Sequence, residues 1–479
     1  MAHHQQAYPA EDSGHILQPR SGGRLRDRGR RILAVTATAV LLLTGATACS
    51  DSTTSTPSKS SSAPKEPFAP AQLAPAWKSP RVEGDSLRTP YMAAWRTPGA
   101  YYVGRGTGVE ILDPATGKKL GTVVPPEPDM TPCGMTERLT ADGLGAIAWI
   151  KGDPEALRAA CDRISLIDTR NGNKIAWTKQ ISGAPLNGKP LTNDTTRLAF
   201  LSGDVLAVMT PNTVVGLRLD GAEAWTWRNI GVGLDKYVLN WDMTAHHDRI
   251  MVMIGIEGGP ELWRYWVSTL DASGKELSKE PVPMPVPAKG GVSLVGAAPM
   301  TAIVEPYSFD KVTKPELVTF TRDGSVARRI PLASDAGEIR LNRSRRLGGA
   351  KRFDIAFSGS TAYLVAGNPA SSTAPVQIVA LDLESGATRW TEAVDTVTTP
   401  RFLGVDKDTV YVLAGKTSQD MPVYAYAAKD GTRTQISTVK ATDSLLSMDN
   451  LIIDYTTGSL ALTEPGQGPT GTIMFRPTP

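Results

Sequence analysis

The stretch "LDLESGATRW", Leu381 to Trp390, sets an aspartate, a glycine four positions later and a tryptophan four positions after that. An acidic or amide side chain ahead of a glycine makes a tight turn, because the side chain bonds nearby backbone while glycine takes a positive φ without a Cβ clash. The residues leading in, "VQIVALDL", alternate in polarity, so they read as a strand with one face buried. A broad ring just past the turn is a packing element between neighbouring layers.

The same phrase returns along the chain as "LDPATGKKL", "IDTRNGNKIAW", "RLDGAEAW", "LDASGKEL", "TRDGSVARR" and "AKDGTRTQ". The seven glycines, Gly117, Gly172, Gly221, Gly274, Gly324, Gly386 and Gly431, are spaced by 45 to 62 residues. A period near fifty is what a blade of four strands needs, and self-similarity at that period marks a propeller. The fold expected is all-β: an eight-bladed β-propeller of four-stranded antiparallel blades, with seven blades as the alternative. Closure argues for eight. After the seventh turn, "LSMDNLIIDY", "SLALTEP" and "GTIMFRP" supply only three further strands, and "PAWKSPRV" offers the fourth from the other end of the chain. Sharing the last blade between both termini removes two sheet edges. Trp77 then stands where Trp177, Trp225 and Trp390 stand in their own blades, as a blade-docking side chain.

These motifs resemble the quinoprotein-like propellers, whose blades carry an Ala-x-Asp-x-x-Thr-Gly-x-x-x-Trp docking phrase. "ALDLESGATRW" is most similar and "TRDGSVARR" is eroded. The resemblance implies a propeller over roughly 400 residues, and it raises pyrroloquinoline quinone dehydrogenases as relatives. Those enzymes carry adjacent cysteines above the cofactor and a Glu, Asn and Asp set around calcium; no two cysteines are adjacent here. No cofactor and no metal are expected.

The first part of the chain concerns export. "RLRDRGRR" is followed by "ILAVTATAVLLLTGATAC", a basic segment, an apolar run of signal-peptide length and small residues before Cys49. This order resembles bacterial lipoproteins of the actinobacterial type, which implies lipidation of Cys49 and removal of residues 1–48. Ala46 stands where Leu or Val is usual, and an uncleaved signal anchor is the alternative. Either way the protein is held at the extracytoplasmic side of the cell membrane. Residues 49–75, rich in Ser, Thr and Pro, offer too few apolar groups to offset the entropy of ordering and read as a tether with a span of roughly 25 to 30 Å. The propeller is expected over 76–479.

The 51 basic and 48 acidic residues include six arginines and three acids within residues 1–48, which leaves 45 of each beyond them. A formally neutral body lacks the field that general nucleic-acid binding needs, so no nucleic acid is expected. Catalytic constellations are scarce. Only His246 and His247 lie beyond the signal, and no G-x-S-x-G elbow occurs. "AGKTSQD" has the tail of a phosphate loop, but Val410 occupies its first glycine position; "GRGTG" suits a hairpin, and "DKD" at Asp406 to Asp408 suits a turn. With Cys49 lipidated, Cys133 and Cys161 remain as an even pair in an oxidising compartment, and both map to one face of the second blade, so a disulfide is expected over two free thiols.

Length accumulates opposite the motif turns, in "KGDPEALRAACDR", "IEGGPELWRY", "SFDKVTKPE" and "GNPASSTAP". The widest gap, between the fifth and sixth blades, holds "RLNRSRRLGGAKR", with Arg343, Arg345, Arg346, Lys351 and Arg352. Function concentrates on loops held by a rigid scaffold. The sequence therefore points to a noncatalytic, monomeric binding propeller that presents this face to a protein or an anionic envelope polymer. A quinone-dependent or sugar-directed enzyme with a site in the central channel is the alternative.

Overall fold

Each Asp-Gly phrase becomes a strand, a turn and a strand. Gln377–Asp382 runs antiparallel to Thr388–Ala393, with Ala380 opposite Trp390 and a register shift immediately before the turn. The turn glycines all take positive φ, from 65° at Gly172 to 86° at Gly324. The aspartate secures the turn from its own side chain: Asp382 Oδ1 accepts from the backbone N–H of Glu384 at 3.0 Å and of Ser385 at 2.7 Å.

The computed structural model describes residues 73–80, 91–105, 107–152, 161–181, 196–202, 204–229, 238–256, 264–278, 282–284, 290–306, 315–334, 337–340, 343–344, 352–353, 355–367, 376–396, 400–406, 408–415, 420–440, 452–456, 459–463 and 470–477. Strands consecutive in sequence pair antiparallel in sheets of four. The first sheet holds Tyr91–Arg96, Tyr101–Arg105, Gly108–Leu112 and Lys119–Thr122. The second holds Met130–Met135, Leu144–Lys151, Cys161–Asp168 and Lys174–Gln180. A third runs from Arg197–Leu201 to Glu223–Arg228, a fourth from Val238–His246 to Val282–Met284, and a fifth from Gly290–Ala297 to Val326–Pro331.

The sixth sheet departs from the pattern. Its first strand is in two pieces, Gly337–Arg340 and Ala356–Ser358, which pair with successive parts of Thr361–Ala366. Eight further strands join into one sheet. Arg401–Val405, Thr409–Leu413, Asp420–Ala427 and Arg433–Lys440 form one half, and Leu73–Pro80, Thr470–Pro477, Ser459–Thr463 and Ile452–Thr456 form the other. The halves meet through a single parallel pairing, Leu73 with Val439. Leu73–Pro80 lies antiparallel to Thr470–Pro477, with Trp77 opposite Met474. The strand thus begins three residues before the boundary expected at 76, since Leu73 is apolar enough to be buried between the halves.

First strands of most successive sheets touch, and each seam between sheets holds its own apolar cluster. Met92, Trp95 and Tyr102 meet Ile147 and Trp149 between the first and second sheets. Leu206 and Val208 meet Ile164 and Leu166 between the second and third. Trp77, Ala461 and Met474 meet Tyr101 and Val103 between the last half-sheet and the first. The first sheet therefore packs against the last, and the arrangement is propeller-like.

One buried face was expected for the strand leading into the motif turn, but Gln377–Asp382 is buried at four of six positions, and its neighbour Thr361–Ala366 is buried throughout. The reason is that a sheet stacked between two neighbours loses both faces to packing, so its inner strands need apolar side chains in both directions.

Candidate functional site

The docking tryptophans act between sheets. Trp177 Nε1 donates to the carbonyl of Leu219 at 2.8 Å, Trp225 Nε1 to that of Ala272 at 3.0 Å, and Trp390 Nε1 to that of Ala428 at 3.0 Å. Trp77 Nε1 donates to Pro114 at 2.9 Å. In each case the acceptor is in the turn of the next sheet, two or three residues ahead of its glycine. The ring lies over that glycine: a Cβ on Gly221 would come 3.3 Å from Trp177, and one on Gly431 2.7 Å from Trp390. Trp77 covers Gly117, and Trp225 covers Gly274. The turn glycine thus has a second duty, invisible in its φ alone, as the platform for a neighbour's indole.

Where the tryptophan is absent, other side chains fill the place. Thr269 and Ser278 cover Gly324, and Arg328 and Ile330 cover Gly386. Trp390 also stacks on Tyr426, with centroids 6.1 Å apart and planes 8° apart, and burial pushes the Tyr426 phenol up to about 12. The sequence reading missed Trp95, whose Nε1 donates to Thr136 at 2.7 Å and whose ring leaves no room for a Cβ at Gly145. Its signal was that glycine, which interrupts an otherwise apolar strand.

Cys133 and Cys161 are joined, with Cα atoms 5.9 Å apart. Cys133 lies within the first strand of the second sheet, and Cys161 opens the third strand. The bond therefore ties two strands separated by the whole second strand, at the end of the sheet opposite the Asp168 turn.

The basic stretch is placed differently from expectation. It does not bridge the fifth and sixth sheets but interrupts the first strand of the sixth, between Gly337–Arg340 and Ala356–Ser358. Arg343–Ser344 and Arg352–Phe353 pair as a short antiparallel ribbon within this excursion. Arg345, Arg346 and Lys351 lie outside the described residues, as does Cys49, and of Arg343 and Arg352 only the backbone is described.

Charge also sits in the innermost strands. Arg197 Nε donates to Asp242 Oδ1 at 2.9 Å, joining the first strands of the third and fourth sheets. These residues stand 45 apart, one repeat length, so the signal was a sign change at matching positions in adjacent repeats. The His246 and His247 rings lie 4.1 Å apart, and burial together with His247 lowers the His246 imidazole. Among the described residues no group of three His, Cys, Asp or Glu could hold a metal ion, and no helix is long and apolar enough to cross a membrane. Asp406 Oδ1 accepts from the backbone of Asp408 and Thr409, as a turn aspartate does.

No protein-family model and no curated protein matches the sequence. Among solved structures, BamB from Moraxella catarrhalis is similar at 12% identity with a TM-score of 0.42, over 82% of this chain and 99% of that one. The Pan2 WD40 domain of Neurospora crassa is similar at 8% identity with a TM-score of 0.44, over 86% and 97%. A prolyl endopeptidase gives 8% and 0.42, and this chain spans about half of it, 55%. What makes the chain propeller-like is the pairing and order of its own strands.

Proposed function

We propose that this chain is an eight-bladed, noncatalytic binding propeller, anchored at the outer side of a membrane through a lipid on Cys49, which takes a protein or an anionic envelope polymer on the face opposite its motif turns. The observation that carries this reading is the division of connections between the two ends of the sheets. At the motif end they are short: His246 to Arg249, Ala297 to Met300, Arg218 to Glu223. At the other end Gln180 leads to Arg197, Pro306 to Glu316, Ala366 to Gln377 and Lys440 to Ile452. Rigid sheets that carry variable length at one end are the usual platform for recognition.

Counting the eight-stranded sheet as two blades is supported by its single parallel pairing, a far weaker bond than the antiparallel ladders on either side.

Within the excursion of the sixth sheet, the sequence carries Arg343, Arg345, Arg346 and Arg352, whose guanidinium forks bind carboxylate or phosphate through paired hydrogen bonds, and Lys351, which adds a point charge. Crosslinking capture from intact cells tests the reading. Reversing Arg343, Arg345 and Arg346 to Glu should reduce capture while the melting temperature stays unchanged, and capture by the parent protein should weaken above roughly 0.15 M salt. Undiminished capture by the variant would remove the basic excursion from the account.

A further inference from the structure

The quasi-symmetry of the docks exposes a vacancy. Among the seven motif-turn glycines, Gly172 alone has nothing within 4 Å of the position where a Cβ would stand. The cause lies in the preceding sheet. Register places Gly121 opposite Ile111, as it places Trp177 opposite Leu166, Trp225 opposite Gly216 and Trp390 opposite Ala380. Glycine thus occupies the tryptophan position of the first sheet. The inner part of this seam is closed by Trp95, but the outer part is a cavity of about 480 Å³, within the range of about 300–1,000 Å³ typical of ligand sites.

The lining suits an aromatic side chain. Tyr102, Ile111 and Pro98 supply apolar surface, and the Tyr102 hydroxyl is turned to Asn173 Oδ1 at the rim. Thr169 lines the cavity three residues ahead of Gly172, the same offset as Pro114 and Ala428, whose carbonyls accept indole N–H groups in their own docks. Leu120, which lines the opening, is 56% exposed, one of three large apolar side chains exposed among the described residues. An occupant of the slot would cover that side chain.

We propose that this slot receives a tryptophan side chain from a partner polypeptide, which lays its indole over Gly172, donates its N–H to the Thr169 carbonyl and covers Leu120. The slot belongs to the first and second sheets, whereas the basic excursion belongs to the sixth, so the two readings stand or fall separately.

The test uses a blocked Gly-Trp-Gly peptide carrying 5-fluorotryptophan, followed by fluorine NMR with the purified protein. Saturable binding in the millimolar to high micromolar range is expected, with the Phe analogue at least tenfold weaker. Gly121→Trp supplies the missing indole from within, at a position with nothing within 4 Å of the new Cβ. It should weaken peptide binding at least tenfold and raise the melting temperature. Leu120→Glu, at an exposed rim position, should also weaken binding with the fold intact, and it decides the matter if Gly121→Trp does not fold. Absence of saturable binding by the parent protein, or unchanged binding by a folded variant, would overturn the proposal. Tighter binding of free indole than of the peptide would overturn the polypeptide occupant.

Discussion

At the scale of single residues, the glycine of each motif is held by two separate constraints, and substitutions separate them. Gly172→Ala and Gly431→Ala both force a side chain into positive φ, at 65° and 77°, which costs about 1–2 kcal/mol. Only Gly431→Ala also drives a Cβ to 2.7 Å from the Trp390 ring. Urea denaturation should therefore show Gly431→Ala as clearly the more damaging, and equal losses would mean that the indole does not rest on the glycine. Trp390→Phe removes the donor to Ala428 and part of the ring while keeping an aromatic side chain, and should cost about 1–3 kcal/mol, whereas Trp390→Ala should cost about 3–5 kcal/mol. The turn aspartates add a pH dependence. The Ser385 backbone N–H and then Arg389 hold Asp382 well below the usual carboxylate range, and backbone bonds from Thr116 and Thr432 lower Asp113 and Asp430. A folded value below the unfolded one, about 3.9, means a contribution complete above that pH and lost as pH falls from there through the folded value. The urea midpoint should fall below about pH 4, and Asp382→Asn should flatten part of that slope. Identical pH profiles for the two proteins would contradict this source of acid sensitivity.

At the scale of elements, the sequence carried the strand–turn–strand unit well because its determinants are local: an aspartate, a glycine and alternating neighbours fix the turn without help from the rest of the chain. What depended on neighbours was less legible. That Thr361–Ala366 is buried on both sides follows from two adjoining sheets, and nothing within the strand announces them. The split first strand of the sixth sheet was hidden for the same reason, since "RLNRSRRLGGAKR" shows its charge but not the strand pieces on either side of it. The vacant dock was written in the sequence, as Gly121 where an aromatic was due, but only register could say which residue was missing. The disulfide was legible from cysteine number and from the oxidising compartment expected of an exported chain. Linking residues 28 apart should contribute about 3.5 kcal/mol on a chain-entropy basis, so the Cys133→Ser, Cys161→Ser double variant should be destabilised by about that amount under oxidising conditions. Unchanged stability of the double variant would show that the strands of the second sheet hold without it.

At the scale of the whole molecule, the first strand of the chain completes the last sheet. Repeat proteins stack identical units, and the last unit must find a partner for its exposed face and edge. Here Leu73–Pro80 does both: it pairs with Thr470–Pro477, and Trp77 reaches across to Pro114 in the first sheet. Contacts so distant in sequence form late and make the ends of the chain interdependent. Two shortened forms of the soluble body test this most directly, one beginning at residue 71 and one at residue 83, compared by urea unfolding followed through tryptophan fluorescence. The form beginning at residue 71 should unfold as the longer protein does. The form beginning at residue 83, deprived of the closing strand and of Trp77, should lose several kcal/mol and unfold over a broader range. Equal midpoints and slopes for the two would contradict closure of the ring by the first strand.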